Sequence, residues 1–320
     1  MKILIVRLGR IGDMILTTQM FSAIKRKMPD AEISVLASVA NNSIIRNNPN
    51  VDKILVWDKS PLKLITLIAQ LRSIHYNYLI DAKDHPSRES GIIARLVKAD
   101  VKIGFNPPGK SYYKIGINSE KENKGLHFAM RSFEPLAYLN ILPPAFTPCP
   151  ELFPSDGALR YVDTFLEDAG ERRILVINIS ASNRGKMWDN DKWVEFISAI
   201  DVNNYFPILT YAPADSDVAA VLLERISINE FKSRSMDDVI ALISKSDLII
   251  TPDTSLVHVA AAFDIPLFGL FSGLNDFFEK FRPLSSTYEV VRSPEGIDGI
   301  REISAAQAIE GFRKLLKQLD

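Results

Sequence analysis

Residues 1–28 read MKILIVRLGRIGDMILTTQMFSAIKRKM, and this opening decides the fold. Lys2–Arg7 is a short apolar run without Gly or Pro, the length and composition of a buried strand. Gly9 and Gly12 let the chain turn tightly, and from Met14 to Met28 apolar residues recur at helical spacing. A strand, a glycine loop and a helix in that order open an α/β domain with a parallel sheet. The loop is G-x-x-G, not G-x-G-x-x-G. The second strand ends by Ser38 without a ribose-binding acid, and no G-K-[ST] follows, so neither a dinucleotide fingerprint nor a P-loop is present. What the loop offers is Asp13, a carboxylate at the strand end. It serves either as a helix N-cap or as a chemical group.

Outward from this unit the same alternation continues. The first half predicts strands at Glu32–Leu36, Lys53–Val56, Tyr78–Asp81 and Val101–Gly104, with helices at Leu62–Ser73, Ser87–Lys98 and Leu126–Asn140. Pro143, Pro144, Pro148, Pro150 and Pro154 crowd residues 142–154, which reads as a stiff connection between domains. Beyond it come helix Asp156–Ala169, strand Ile174–Ile179, helix Asp191–Ile200 and strand Phe206–Thr210. Strand Asp247–Ile250, helix Ser255–Phe263, strand Leu267–Leu270 and helix Ser304–Gln318 close the chain. The expected architecture is two doubly wound α/β domains, 1–150 and 151–320, facing a cleft. Ligands then belong at the loops after strands.

With 320 residues, the chain has the length of about two domains. A single cysteine, Cys149, excludes a disulfide-stapled domain and a Cys-rich zinc site. No apolar run is long enough to span a bilayer, and no signal-peptide pattern stands at the start, so a cytoplasmic protein is expected. Residues 1–150 hold 21 Lys and Arg against 12 Asp and Glu, whereas residues 151–320 hold 17 against 27. The basic half suggests an anionic partner; the alternative is solvated surface charge.

Two later loops stand at strand ends. Ser180-Ala181-Ser182-Asn183-Arg184-Gly185-Lys186 combines hydroxyls with cations that suit a phosphate, or is an ordinary solvated loop. Thr251-Pro252-Asp253-Thr254-Ser255-Leu256-Val257-His258 opens a helix of small residues, and its first N–H groups form an anion site. His258 faces that site or is structural.

Together, RLGRIGDMILTTQMFSAIK, ISASNRGKMWDNDKW and TPDTSLVHVAAAFDIPLFGLF resemble glycosyltransferase family 9, the ADP-heptose:lipopolysaccharide heptosyltransferases, in order and spacing over the whole chain. The resemblance implies a GT-B fold of two Rossmann-like domains, with the last helix packing back on the first. It implies Asp13 as catalytic base, and Ser182 and Lys186 on the donor phosphates. Asp253, Thr254, Ser255, Leu256 and His258 would hold the donor nucleotide and sugar. The family carries Gly and Glu where this chain reads YAPADSDVAAV, so Asp215 or Asp217 would replace a ribose-contacting glutamate. It further implies transfer with inversion and no obligatory metal or cofactor. The acceptor would be the lipopolysaccharide core, with peripheral contact to the inner face of the membrane. Arg7, Arg10, Lys83, Arg88 and Lys110 are then acceptor-side candidates. The alternatives are another nucleotide sugar on the same fold, a non-catalytic nucleotide-sugar-binding protein, and a nicotinamide oxidoreductase, the last opposed by the missing fingerprint.

Overall fold

The structure, a computed structural model, describes residues 1–117, 125–142, 149–182 and 184–319. The chain divides into Met1–Phe153 and Pro154–Asp320, within a few residues of the boundary read from the prolines. Pro143, Pro144 and Pro148 of that proline-rich connection lie outside the described residues, as does Asn183 of the second loop.

The first unit has strands β1 (Lys2–Arg7), β2 (Glu32–Ser38), β3 (Lys53–Trp57), β4 (His75–Asp81), β5 (Lys98–Gly104) and β6 (Ile115–Gly116). They form one parallel sheet in the order β3-β2-β1-β4-β5-β6. Its helices are α1 (Ile11–Ile15), α2 (Gln19–Lys27), α3 (Pro61–Ser73), α4 (Arg88–Leu96) and α5 (Phe128–Arg131). One face of the sheet buries Leu4, Val6 and Leu79 against Leu67 and Leu71 of α3 and Ile93 and Ala94 of α4. The central strands β1 and β2 are apolar over nearly their whole length because a parallel sheet is covered on both faces.

The expected helix Met14–Met28 is interrupted. Thr17 and Thr18 turn their hydroxyls onto the carbonyls of Asp13 and Ile15, both at 2.7 Å, and tighten the chain into a turn between α1 and α2. The stretch Leu126–Asn140 likewise holds only short α5 and a 3-10 turn at Glu134–Leu139, because Pro135 lacks the amide a continuous helix needs.

The second unit repeats the plan with β7 (Arg173–Asn178), β8 (Tyr205–Thr210), β9 (Asn229–Glu230), β10 (Leu248–Pro252), β11 (Leu267–Phe271) and β12 (Tyr288–Arg292). Their order, β12-β11-β10-β7-β8-β9, is again all parallel. The helices are α6 (Asp156–Leu166), α7 (Asn190–Ser198), α8 (Ser216–Leu223), α9 (Met236–Ser244), α10 (Ser255–Ala262), α11 (Asn275–Phe281) and α12 (Ala305–Leu319). Read from the opposite edge, this is the strand order of the first sheet.

The last helix has an apolar face that packs within its own unit. The buried face of α12, with Ala308, Gly311, Phe312 and Leu315, packs on β11, β12 and α7 of its own unit. Phe312 lies 5.7 Å, ring centre to ring centre, from both Phe196 and Phe268. Gly311 permits this approach, since a Cβ there would sit 2.5 Å from Val291. The second sheet thus absorbs the apolar stripe of the helix.

Candidate functional site

In both sheets the strand order reverses beside a central strand: between β1 and β4 in the first, between β7 and β10 in the second. Ligands of doubly wound sheets bind beyond the carboxyl ends at this switch point. The loops after these four strands contain most of the residues singled out in the sequence.

In the first unit, Asp13 lies on α1 but does not cap it: Arg10 occupies the N-cap position, with no side-chain capping bond. The Asp13 carboxylate, with a quarter of its surface exposed, meets the Arg7 guanidinium at 2.8 Å. Arg7 is only 2% exposed, donates to the carbonyl of Ala82 at 3.1 Å, and lies 4.9 Å over the Phe128 ring. This corrects one assignment: Arg7 is enclosed by protein and cannot touch an acceptor, but it fixes the position of the Asp13 carboxylate. A buried guanidinium stays charged and requires an anionic partner, which Asp13 supplies. Gly9, with φ of +128°, allows the turn between them, in a backbone region that side chains rarely adopt.

Across the switch point, Asp81 ends β4 fully buried and accepts a 2.6 Å bond from the Tyr113 hydroxyl. Burial raises its pKa, against the opposing effects of Tyr113, the Lys83 amide, Ser90 and Arg7. The Tyr113 hydroxyl is pushed up by burial and by the Asp81 charge. Of the acceptor-side candidates, Lys83 is half-buried and bonds Ser87 at 3.1 Å, while Arg10, Arg88 and Lys110 are exposed.

In the second unit the loops after β7, β8 and β10 are tied together by buried polar groups. The Asn178 amide donates to the hydroxyls of Thr251 at 2.9 Å and Thr254 at 3.4 Å. The Ser180 hydroxyl accepts from the Ala212 amide at 2.7 Å. Thr254 is the N-cap of α10 and accepts from the Leu256 amide. Asp253 and Ser255 flank it half-buried, whereas Leu256 and His258 are buried, with His258 6.2 Å from the Phe281 ring. Ser182 is exposed on the loop after β7. Lys186 pairs with Asp298 at 2.5 Å and lies 5.8 Å over the Phe277 ring.

The two candidate ribose carboxylates differ. Asp217 is exposed and bound by Arg184 through both oxygens at 2.8 Å, which holds its pKa below the usual carboxylate range. Asp215 is 7% exposed at the N-cap of α8. A third carboxylate at this edge, Glu230 of β9, accepts a short bond from the Tyr211 hydroxyl, whose pKa that bond raises to about 12.

The sequence reading singled out none of Asn178, Asp81 and Glu230, and quoted Thr251 only as part of its loop. A signal was available for three of them: Asp81 and Asn178 are the last residues of their strands and Thr251 the last but one, whereas Glu230 ends the two-residue strand Asn229–Glu230, which has no apolar run to reveal it. A polar side chain ending an apolar strand points to the ligand edge of a parallel sheet. Among the described residues no cluster of three metal-binding side chains occurs, and no helix is long and apolar enough to cross a membrane.

Two parallel sheets of one strand order, each with polar groups gathered at its switch point, define the GT-B fold. Solved structures agree with it over the chain's length. The glycosyl transferase family 9 protein from Veillonella parvula DSM 2008 superposes with a TM-score of 0.84 at 17% identity, covering 99% of this chain and 97% of that one. For the E. coli ADP-heptose LPS heptosyltransferase II the values are 0.82, 21%, 100% and 99%. In sequence, lipopolysaccharide heptosyltransferase 3 of Escherichia coli K12 is 26% identical over 291 residues, 83% of this chain and 81% of that one. The family model for glycosyltransferase family 9 (heptosyltransferase) matches residues 64–302. The chain belongs to glycosyltransferase family 9 and is an enzyme of sugar transfer. The matched stretch includes both loops of the second unit, while Asp13 lies before it.

Proposed function

We propose that this enzyme transfers heptose from an ADP-heptose-type donor to the lipopolysaccharide inner core, with inversion at the anomeric carbon. Its relatives support the substrate class: they are named lipopolysaccharide heptosyltransferases, and a similar E. coli structure, with a TM-score of 0.77, contains ADP-2-deoxy-2-fluoro heptose. The observation that carries the reading is Asp13, a part-exposed carboxylate at the first switch point, held at 2.8 Å by a buried guanidinium.

In this reading Asp13 removes the proton of the acceptor hydroxyl as that oxygen attacks the anomeric carbon. The bond to the donor's diphosphate breaks on the opposite face, and ADP leaves. The transition state resembles an oxocarbenium ion, and negative charge grows on the departing phosphate. Lys186, Ser182 and the start of α10 at Thr254 and Ser255 would stabilise that charge, with Lys186 exchanging Asp298 for phosphate. These groups leave a divalent cation non-essential. Asp253, Leu256 and His258 would frame the nucleotide and sugar. Asp215 or Asp217 would meet the ribose, the latter on release from Arg184. Arg10, Lys83, Arg88 and Lys110 would bind the anionic acceptor. The location in this proposal is the cytoplasm, with peripheral contact to the membrane.

Asp13→Asn tests it. The amide keeps the shape but cannot take a proton, so turnover should fall about 10²–10⁴-fold. ADP affinity by calorimetry should stay within about twofold, because Asp13 does not touch the donor phosphates in this mechanism. Turnover within about threefold of wild type would remove Asp13 from the role of base.

A further inference from the structure

α11 follows β11 after a short loop and carries three phenylalanines, Phe277, Phe278 and Phe281, that divide between two faces. Phe278 turns inward. Its ring centre lies 5.3 Å from that of Phe271 at the end of β11, and the Arg292 guanidinium stacks over it at 4.5 Å. Phe277 and Phe281, four residues apart, share another face, with ring centres 4.9 Å apart. Phe277 is 36% exposed and Phe281 half-buried, so neither ring belongs to the buried core.

Both rings border groups of the donor loops. Lys186, on the loop after β7, lies 5.8 Å over Phe277, and the His258 ring of α10 lies 6.2 Å from Phe281. Ligand sites combine aromatic walls with a few placed polar groups of this kind. The face of a benzene ring carries partial negative charge. The C–H groups of a sugar, each beside an electron-withdrawing oxygen, carry the opposite sign. A sugar laid on these rings therefore gains both apolar contact and electrostatic attraction.

Strand order decides which part of a nucleotide sugar reaches them. The sheet runs β12-β11-β10-β7-β8-β9. The candidate ribose carboxylates, Asp215 and Asp217, follow β8 on one side of the switch point, whereas α11 follows β11 on the other. Arg184 ties the loop after β7 to Asp217 on the first side, and Lys186 ties it to Asp298 and Phe277 on the second. A donor with its ribose at β8 and its phosphates at Lys186 and the start of α10 then brings its sugar, not its base, to α11.

We propose that Phe277 and Phe281 form the subsite for the donor's transferred sugar and take the C–H face of its ring. The assignment rests on the transferase reading, which gives the donor its direction. It adds the residues that distinguish a sugar-bearing nucleotide from ADP itself.

Calorimetry without acceptor compares ADP with ADP-2-deoxy-2-fluoro heptose on the wild type, Phe277→Leu, Phe281→Leu and Phe277→Tyr. Leucine keeps apolar bulk and removes the ring, whereas tyrosine keeps the ring. Both leucine variants should bind the fluorinated donor about five- to tenfold more weakly, through loss of a stacked ring and its contact area. Their ADP affinity should stay within about twofold of wild type, and their Tm unchanged, because the rings touch neither the nucleotide nor the core. Phe277→Tyr should bind the fluorinated donor as the wild type does. Leucine variants that weaken ADP and the donor equally would place the rings on the nucleotide and overturn the sugar subsite. Undiminished donor binding, or a tyrosine variant as weak as leucine, would overturn it too. These three outcomes leave the transferase reading standing, whereas a wild type that binds ADP-2-deoxy-2-fluoro heptose no better than an unrelated nucleotide sugar overturns that reading and the subsite with it.

Discussion

At the scale of single residues, Asp81 carries the most unusual charge environment in the first unit. It is fully buried, bonded to Tyr113, and its pKa is raised first of all by burial. A carboxyl whose folded pKa is raised stabilises the fold while protonated, and that contribution fades as pH climbs from the unfolded value near 3.8 through the folded one. Asp81→Asn removes the titration but keeps an oxygen for the Tyr113 hydroxyl. The difference in Tm, variant minus wild type, should therefore grow as pH rises from about 4 toward 7. A difference that is flat or shrinks over that range would mean that Asp81 is ionised in the fold without penalty. Position 104 belongs to the same packing: a Cβ on Gly104 would lie 2.8 Å from the Tyr113 ring and 2.9 Å from the Asp81 Cβ.

At the scale of elements, the segments after β11 and β12 show how a backbone contact holds in place the stretch that carries Asp298, the ion-pair partner of Lys186. The Gly273 amide donates to the Ile297 carbonyl at 2.8 Å, and its carbonyl accepts from Gly296 at 3.0 Å. A Cβ at Gly273 would stand 1.8 Å from the carbonyl oxygen of Pro294, a collision with backbone that no rotamer relieves. Gly273→Ala should cost about 3 kcal/mol and lower the Tm by several degrees. Because Asp298, the partner of Lys186, lies in the displaced segment, ADP affinity should fall as well. A Tm within about a degree of wild type would show that the two segments separate freely. α8, α9, α11 and β12 lie in stretches that the sequence reading left unassigned. The Met236–Ser244 helix illustrates why: Val239 to Ile243 is buried without a break, so no polar face gives it a helical period.

At the scale of the whole molecule, charge is divided between a basic first unit and an acidic second one. If the first receives an anionic acceptor, the acceptor KM should rise with ionic strength and the donor KM should change less. Long-range attraction is screened as the Debye length falls from about 10 Å at 0.1 M salt to about 3 Å at 1 M. Arg88→Glu or Lys110→Glu should imitate high salt for the acceptor while calorimetric ADP binding stays unchanged. An acceptor KM insensitive to salt would leave the basic half as solubilising surface.

The sequence by itself determined the two-unit α/β plan, the family and the strand-end loops in which polar groups gather. Each of these is encoded locally, in runs of Ile, Leu and Val, in Gly9 and Gly12, and in short motifs at strand ends. Tertiary structure alone decided what individual side chains do there. Arg7 looked like a surface cation, yet the walls around it, Phe128 and Ala82, come from 121 and 75 residues away in the chain. Asp13 read equally well as a cap, until the geometry of α1 put Arg10 at that position. The stripe of α12 advertised burial without naming its partner, because an apolar face specifies only that water must be excluded, and the second sheet supplied the surface.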